Sequence, residues 1–172
     1  MKFSDIPKIT QVNYVVDVPL DYVDKWIEGI GEDTAIDLEP DFQRAHVWTE
    51  SQQVRYVEWL LRGGRSGRDI LWNCPGRMKL VEPGRMQLVD GLQRLTAVRL
   101  FMSNDLEIFG THRLSDFHGR FPAMRYTLKF YVNDLETRAQ VLQWYLDINS
   151  GGTQHTEDEL AMVRKLLEEI QA

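Results

Sequence analysis

The chain has 172 residues, 43% of them hydrophobic, enough for one compact domain with a real core. Its formal charge is −6, from 20 basic and 26 acidic residues, which argues against a general role in coating DNA through its phosphates. Cys74 is the single cysteine, so no intramolecular disulfide forms, and no Cys/His group has zinc-site spacing.

The opening stretch MKFSDIPKITQ lacks the apolar core of a signal peptide. No apolar run approaches the roughly 20 residues that span a bilayer. The expectation is a cytoplasmic protein with no membrane partner. Repeats, low-complexity tracts and Pro/Ser linkers are absent, so residues 1–172 read as one domain.

Ile9 to Val18, rich in Val, Ile and Tyr, predicts a strand that Pro19 ends. Val23, Trp26, Ile27 and Ile30 stand at helical spacing, and Gly29 and Gly31 suit the end of that helix. Ile36 to Leu38 alternates briefly before Pro40. Thr49 and Gln52 form a capping box for a helix carrying Val54, Val57 and Leu61, which Gly63-Gly64 ends. Asp69 to Asn73 predicts a strand closed by Pro75-Gly76. Glu82-Pro83-Gly84 predicts a turn into a short strand, Met86 to Val89.

A helix from about Gly91 to Asn104 follows, with Leu92, Leu95, Val98 and Met102 facing inward. Residues 105–123 read as loop with one short element. The run from Tyr126 to Val132 alternates as a half-buried strand does. Leu135, Ala139, Leu142 and Leu146 return to helical spacing. Ser150-Gly151-Gly152 breaks the chain, Thr156 and Glu159 form a second capping box, and Leu160, Val163, Leu167 and Ile170 stripe a last helix. Strands and helices mix without regular alternation, so the class is α+β.

The strand at 86–89 runs directly into Asp90-Gly91, and Gln93-Arg94 follows on a helix. A helix start offers unpaired N–H groups and partial positive charge to an anion. Gly91 permits a sharp turn and a close approach, Arg94 adds a fork of donors suited to phosphate, and Gln93 adds a neutral donor. Asp90 would repel a phosphate unless it binds Mg²⁺ or orients an attacking group. The plain alternative is an ordinary cap: Asp90 on the helix, Gly91 in the turn, and Arg94 paired with a surface acid.

Two other segments carry chemistry-bearing residues. Arg44, in Phe42-Gln43-Arg44, can reach the same phosphate from the opposite wall, and Trp48 can stack a base or simply seal the core. His46 between them is a weak acid/base candidate. Asn149 can ligate a metal or hold a nucleotide hydroxyl, and Gly151-Gly152 can bring backbone close to a ligand. The same residues also serve as a helix cap, and His155 nearby is weaker still. A third feature, Arg62, Arg65 and Arg68 with glycines between them, makes a small basic loop whose plain reading is a solvated connection.

Asp90-Gly91-Leu92-Gln93-Arg94-Leu95-Thr96 resembles the DGQQR-Leu-Thr signature of the GmrSD N-terminal family, within the ParB/sulfiredoxin-like superfamily. Pro40 to Arg44 followed by Val47-Trp48-Thr49 resembles its upstream FQR…W block, and Ile148 to Thr153 its asparagine–glycine-glycine block. Three ordered blocks are far more specific than one. The resemblance implies a small mixed sheet with surrounding helices that binds a nucleoside triphosphate with Mg²⁺. Relatives with restriction activity hydrolyse the nucleotide and control an attached nuclease. Other branches hydrolyse CTP while clamping DNA, or phosphorylate free serine or a cysteine sulfinic acid.

Carried onto this chain, the resemblance implies catalytic roles for Asp90, Arg94 and Arg44, and metal ligation by Asp90 and Asn149. It implies a nucleotide site of Gln43, Arg44, Trp48, Gly91, Leu92, Gln93, Arg94, Thr96, Asn149, Gly151 and Gly152. Leu92 departs from the family's glutamine, so only backbone remains as a donor there. With no cysteine in the motif, no His-Asn-His nuclease following and no Walker loop, the expectation is a single-domain NTPase or a kinase acting on a hydroxyl, on a small molecule or a modified base. The alternative is a non-catalytic nucleotide sensor that regulates a separate nuclease. Partners expected are a nucleotide, with DNA or a DNA-processing protein beyond it.

Overall fold

A computed structural model describes residues 10, 12–43, 47–79, 83–149 and 157–171. Five strands form one sheet: β1 (Tyr14–Pro19), β2 (Ile36–Asp37), β3 (Asp69–Asn73), β4 (Met86–Asp90) and β5 (Thr127–Asn133). Their spatial order is β1-β5-β3-β4-β2. β5 runs antiparallel to β1 and parallel to β3, while β4 runs antiparallel to β3 and parallel to β2. The sheet is mixed, and the class is α+β as the irregular element order predicts.

Five helices cover it: α1 (Val23–Asp33), α2 (Glu50–Leu61), α3 (Leu92–Met102), α4 (Arg138–Asn149) and α5 (Glu157–Gln171). Strand side chains alternate between faces, and the core divides accordingly. Ile70, Trp72, Leu88 and Phe130 pack with Val23 and Ile30 of α1, Leu60 of α2 and Leu92, Leu95 and Val98 of α3. On the other face, Val89 packs with Phe42 and with α4 and α5, through residues such as Leu142, Tyr145 and Val163. A third cluster, Val57, Ala97, Phe101, Leu106 and Ile108, fills the seam between α2 and α3.

Several expectations shift in detail. α1 runs through both Gly29 and Gly31 to Asp33, because packing of Val23 and Ile30 holds a helix that propensity alone would end. A short 3₁₀ turn, Leu20–Tyr22, precedes it. The capping box of α2 is present, with the Thr49 N–H donating to Gln52 Oε1 at 2.8 Å; such caps are worth about 1 kcal/mol. Gly63 ends that helix at φ 91°. Leu135 lies before α4 rather than on it. Its backbone is instead held by the buried Asn73, which donates to the Leu135 carbonyl at 3.0 Å and accepts from its N–H at 2.8 Å. The expected strand 9–18 is shorter at its start: β1 begins at Tyr14, and Thr10, Val12 and Asn13 lie outside it. Ile9, Gln11, the break at 150–152 and the Thr156/Glu159 cap lie outside the described residues or side chains.

Candidate functional site

The strand-to-helix junction is built as its sequence suggests, with an added irregularity. Trp72 pairs with Leu88 and Leu71 with Asp90, so Val89 is an extra residue in β4. A bulge of this kind bends the strand and re-aims the side chain that follows, and bulges gather beside functional sites. Here the re-aimed residue is Asp90.

Gly91 then adopts φ 109° and caps α3. A side chain is excluded there twice over. The conformation is left-handed, and a Cβ would come within 2.7 Å of Ile70 Cδ1, 3.2 Å of Ile70 Cα and 3.3 Å of the Asp69 carbonyl. The close approach that demands glycine is thus to β3. It lets the first turn of α3 begin within one residue of the sheet, where its N–H groups point out of the helix end.

Asp90 and Arg94 face each other one helical turn apart and form an ion pair, both partly exposed. The sequence left open whether Arg94 pairs with an acid or reaches outward, and in this structure its partner is Asp90. Residues that the sequence does not flag surround the pair. The charges of Arg94, Arg68 and Asp69 all act on Tyr56, whose phenol is pushed well above its ordinary range chiefly by burial. The Tyr56 hydroxyl donates to the Gly67 carbonyl at 2.6 Å, and Arg68 Nε donates to the Gly64 carbonyl at 2.7 Å. Asp69, at the head of β3, stands beside the Tyr131 phenol, which burial first and Asp69 second also raise. No local spacing announces Tyr56, Asp69 or Tyr131, because α2, β3 and β5 deliver them separately, and the basic loop that holds Arg68 gives no sign that it meets them.

Gln93 is buried, and its Oε1 accepts from the backbone N–H groups of both Val47 and Trp48 at 2.9 Å each. The side chain expected to donate to a ligand therefore clamps the second block onto the first with its oxygen. Trp48 is half-buried, meets the Tyr56 ring at 5.4 Å and 64°, and packs on the α2–α3 cluster. Of its two expected roles, this packing is that of a residue sealing the core. Thr96 is partly exposed on α3, and Leu92 turns into the core, as its stripe with Leu95 predicts.

The second block also meets the third. Phe42 packs edge-on to Tyr145 of α4 with ring centroids 5.5 Å apart, in the same cluster as Val89. Arg138 of α4 pairs with Asp41 at 2.7 Å. One turn beyond Tyr145, the buried Asn149 donates to the Tyr145 carbonyl at 2.8 Å. Gln43 sits at the head of this junction with its side-chain oxygen buried and without a hydrogen-bond partner among the described residues. Arg44, His46, Gly151, Gly152 and His155 lie outside the described residues.

Among the described residues, no group of three or more His, Cys, Asp or Glu side chains could enclose a metal. Mg²⁺ keeps several waters and needs only one or two carboxylates when phosphate oxygens complete its shell, and Asp90 offers one partly exposed carboxylate. No helix among the described residues is long and apolar enough to cross a membrane.

The model of the GmrSD restriction endonuclease N-terminal domain matches residues 25–164. The chain belongs to this family. The match takes in all three blocks and every strand except β1, so the junction just described lies within the shared GmrSD N-terminal domain. The family's name sets the domain in a context of DNA restriction or modification. No curated protein and no solved structure matches the chain at a significant level.

Proposed function

We propose that this GmrSD N-terminal domain binds a nucleoside triphosphate with its terminal phosphate at the start of α3, and hydrolyses it or passes the phosphoryl group to a hydroxyl. The observation that carries the reading is the bulge-and-glycine junction. It sets the opening turn of an 11-residue helix, a carboxylate and a guanidinium within four residues of one another. Arg94 would grip the phosphate oxygens as a planar fork, and Arg44 would add a second cation. Released from Arg94, Asp90 would hold Mg²⁺ or orient the attacking oxygen. Bound there, Mg²⁺ supplies charge neutralisation of the phosphates. Gln93 and Trp48 would fix the wall that carries Gln43 and Arg44, and Asn149 would close the far side.

The test is phosphate release from each of the four common nucleoside triphosphates with Mg²⁺, alongside transfer of labelled phosphate to a hydroxyl acceptor. Turnover that falls at least tenfold in Arg94→Ala and Asp90→Ala supports the proposal. Equal rates in variants and parent, or no turnover with any nucleotide, refute it. A second reading, a nucleotide sensor controlling a separate nuclease, draws support from the closed Asp90–Arg94 pair. Nucleotide-dependent thermal stabilisation without turnover would select it.

A further inference from the structure

The −6 charge of the chain is not spread evenly. The loop 62–68 and the segment 109–126 together hold six arginines and a single acid, Asp116. Space joins them, because the Arg62 guanidinium lies 5.2 Å from the centroid of the Phe109 ring. Arg65, Arg120 and Arg125 have no carboxylate partner among the described residues, and Arg125 lies over the Tyr126 ring at 5.7 Å. Beside Arg120, and against the Tyr126 ring that Arg125 covers, opens a cavity of about 460 Å³. Phe101, Phe117, Phe121 and Tyr126 line it, with His118 and Arg120 beside them. Phe117 is 45% exposed although it is one wall of an aromatic pocket.

An exposed ring such as Phe117, set in an aromatic pocket beside unpaired guanidinium groups, is the composition of a single-strand nucleic-acid surface. Bases stack on the rings while cations follow the phosphates, and the volume falls in the range of sites that enclose a small molecule. Duplex does not suit the pocket, because its bases are stacked on their neighbours and leave no free face to insert. We infer that this face binds single-stranded nucleic acid, with one unpaired base in the Phe117–Tyr126 cavity and its flanking phosphates on Arg120 and Arg125. The cavity shares no lining residue with the Asp90–Arg94 pair, and none of its residues takes part in the proposed phosphoryl chemistry.

The test is fluorescence anisotropy of the full chain without nucleotide. The probes are labelled DNA and RNA strands of about 12 nucleotides, the corresponding DNA duplex, and the same strand with abasic positions. Either strand should bind more tightly than duplex, and abasic substitution should weaken binding about tenfold. Phe117→Ala should do the same. Arg120→Ala with Arg125→Ala should lower the slope of log affinity against log salt by about 1.4, roughly 0.7 per lost phosphate contact. These arginines are exposed, so the double variant tests the surface even where Phe117→Ala destabilises the fold. Asp90→Ala and Arg94→Ala should bind the strands as the parent does, whatever their effect on turnover. Absence of strand binding, a preference for duplex, equal affinity for abasic strands, or an unchanged salt slope in the arginine variant would each overturn the inference.

Discussion

Replacing Gly91 with alanine tests the geometry of the junction without reference to any ligand. The backbone there has φ 109°, where a side chain costs on the order of 1–3 kcal/mol. The new methyl would also meet Ile70 Cδ1 at 2.7 Å and Ile70 Cα at 3.2 Å, an overpacking that costs roughly 1–3 kcal/mol in a close-packed interior. Ile70 is fully buried, so it has nowhere to retreat. The two contributions together predict a loss of about 2–6 kcal/mol, or a fall in melting temperature of roughly 4–24 °C for a domain of this size. They separate in a double-mutant cycle measured by urea denaturation. Ile70→Val deletes the Cδ1 atom itself and alone costs about 0.5–1.5 kcal/mol. In the Gly91→Ala background it should cost much less or become stabilising, with a coupling of about 1 kcal/mol or more. The residual loss then reports the dihedral cost. Gly91→Ala within 0.5 kcal/mol of the parent (about the scatter of a neutral surface change) would refute the turn. Purely additive effects would refute the contact with Ile70.

Gln93→Ala should cost about 1–3 kcal/mol, because it strands the Val47 and Trp48 N–H groups, and it should change Trp48 fluorescence; calorimetry and emission spectra showing no change would remove the clamp. The Tyr56 phenol is raised above its ordinary value of 10.0, so its neutral form belongs to the fold. The stability it contributes is complete below pH about 10 and declines above it by up to about 1.4 kcal/mol per pH unit, while the unfolded chain alone loses the proton. Tyr56→Phe should flatten that decline in denaturation profiles taken across alkaline pH, and an unchanged profile would count against the burial. Cys74 is fully buried and its thiol is raised by that burial, so the folded protein should resist an aromatic disulfide reagent near pH 8 and react fully once unfolded. Rapid labelling of the native chain would contradict its placement.

Elements governed by neighbours in sequence were the ones that could be read in advance. The alternation of Leu128, Phe130 and Val132, the capping box at Thr49 and the passage from Val89 through Gly91 into α3 are local patterns, and each has a local cause. The β1-β5-β3-β4-β2 order has none, since it depends on which faces bury against which helices. The same reason hides the use of Gln93 as an acceptor for residues 46 and 45 positions upstream. It hides Asn73, which holds Leu135 across 62 residues. α3 shows the limit most plainly. Its expected stripe of Leu92, Leu95 and Val98 is buried, yet Ala97 and Phe101 are buried too, against α2. A helix packed on two sides loses the one-sided period by which a sequence announces it. At the site, Asp90, Gly91 and Arg94 share one stretch of chain and were visible together. Tyr56, Arg68 and Asp69 join them only through folding.

The ion pair between Asp90 and Arg94 leaves the head of α3 with no net charge of its own. An anion that reaches Arg94 must displace a carboxylate, and that carboxylate is then short of a cation. A cation that reaches Asp90 frees a guanidinium in the same way. Each arrival prepares the place of the other, and thermodynamic reciprocity requires that the gain in affinity be the same in both directions. If it binds a phosphate and a cation as proposed, such a junction would answer weakly to either ion alone and strongly to the two together. It would work as a coincidence detector made of two side chains one helical turn apart.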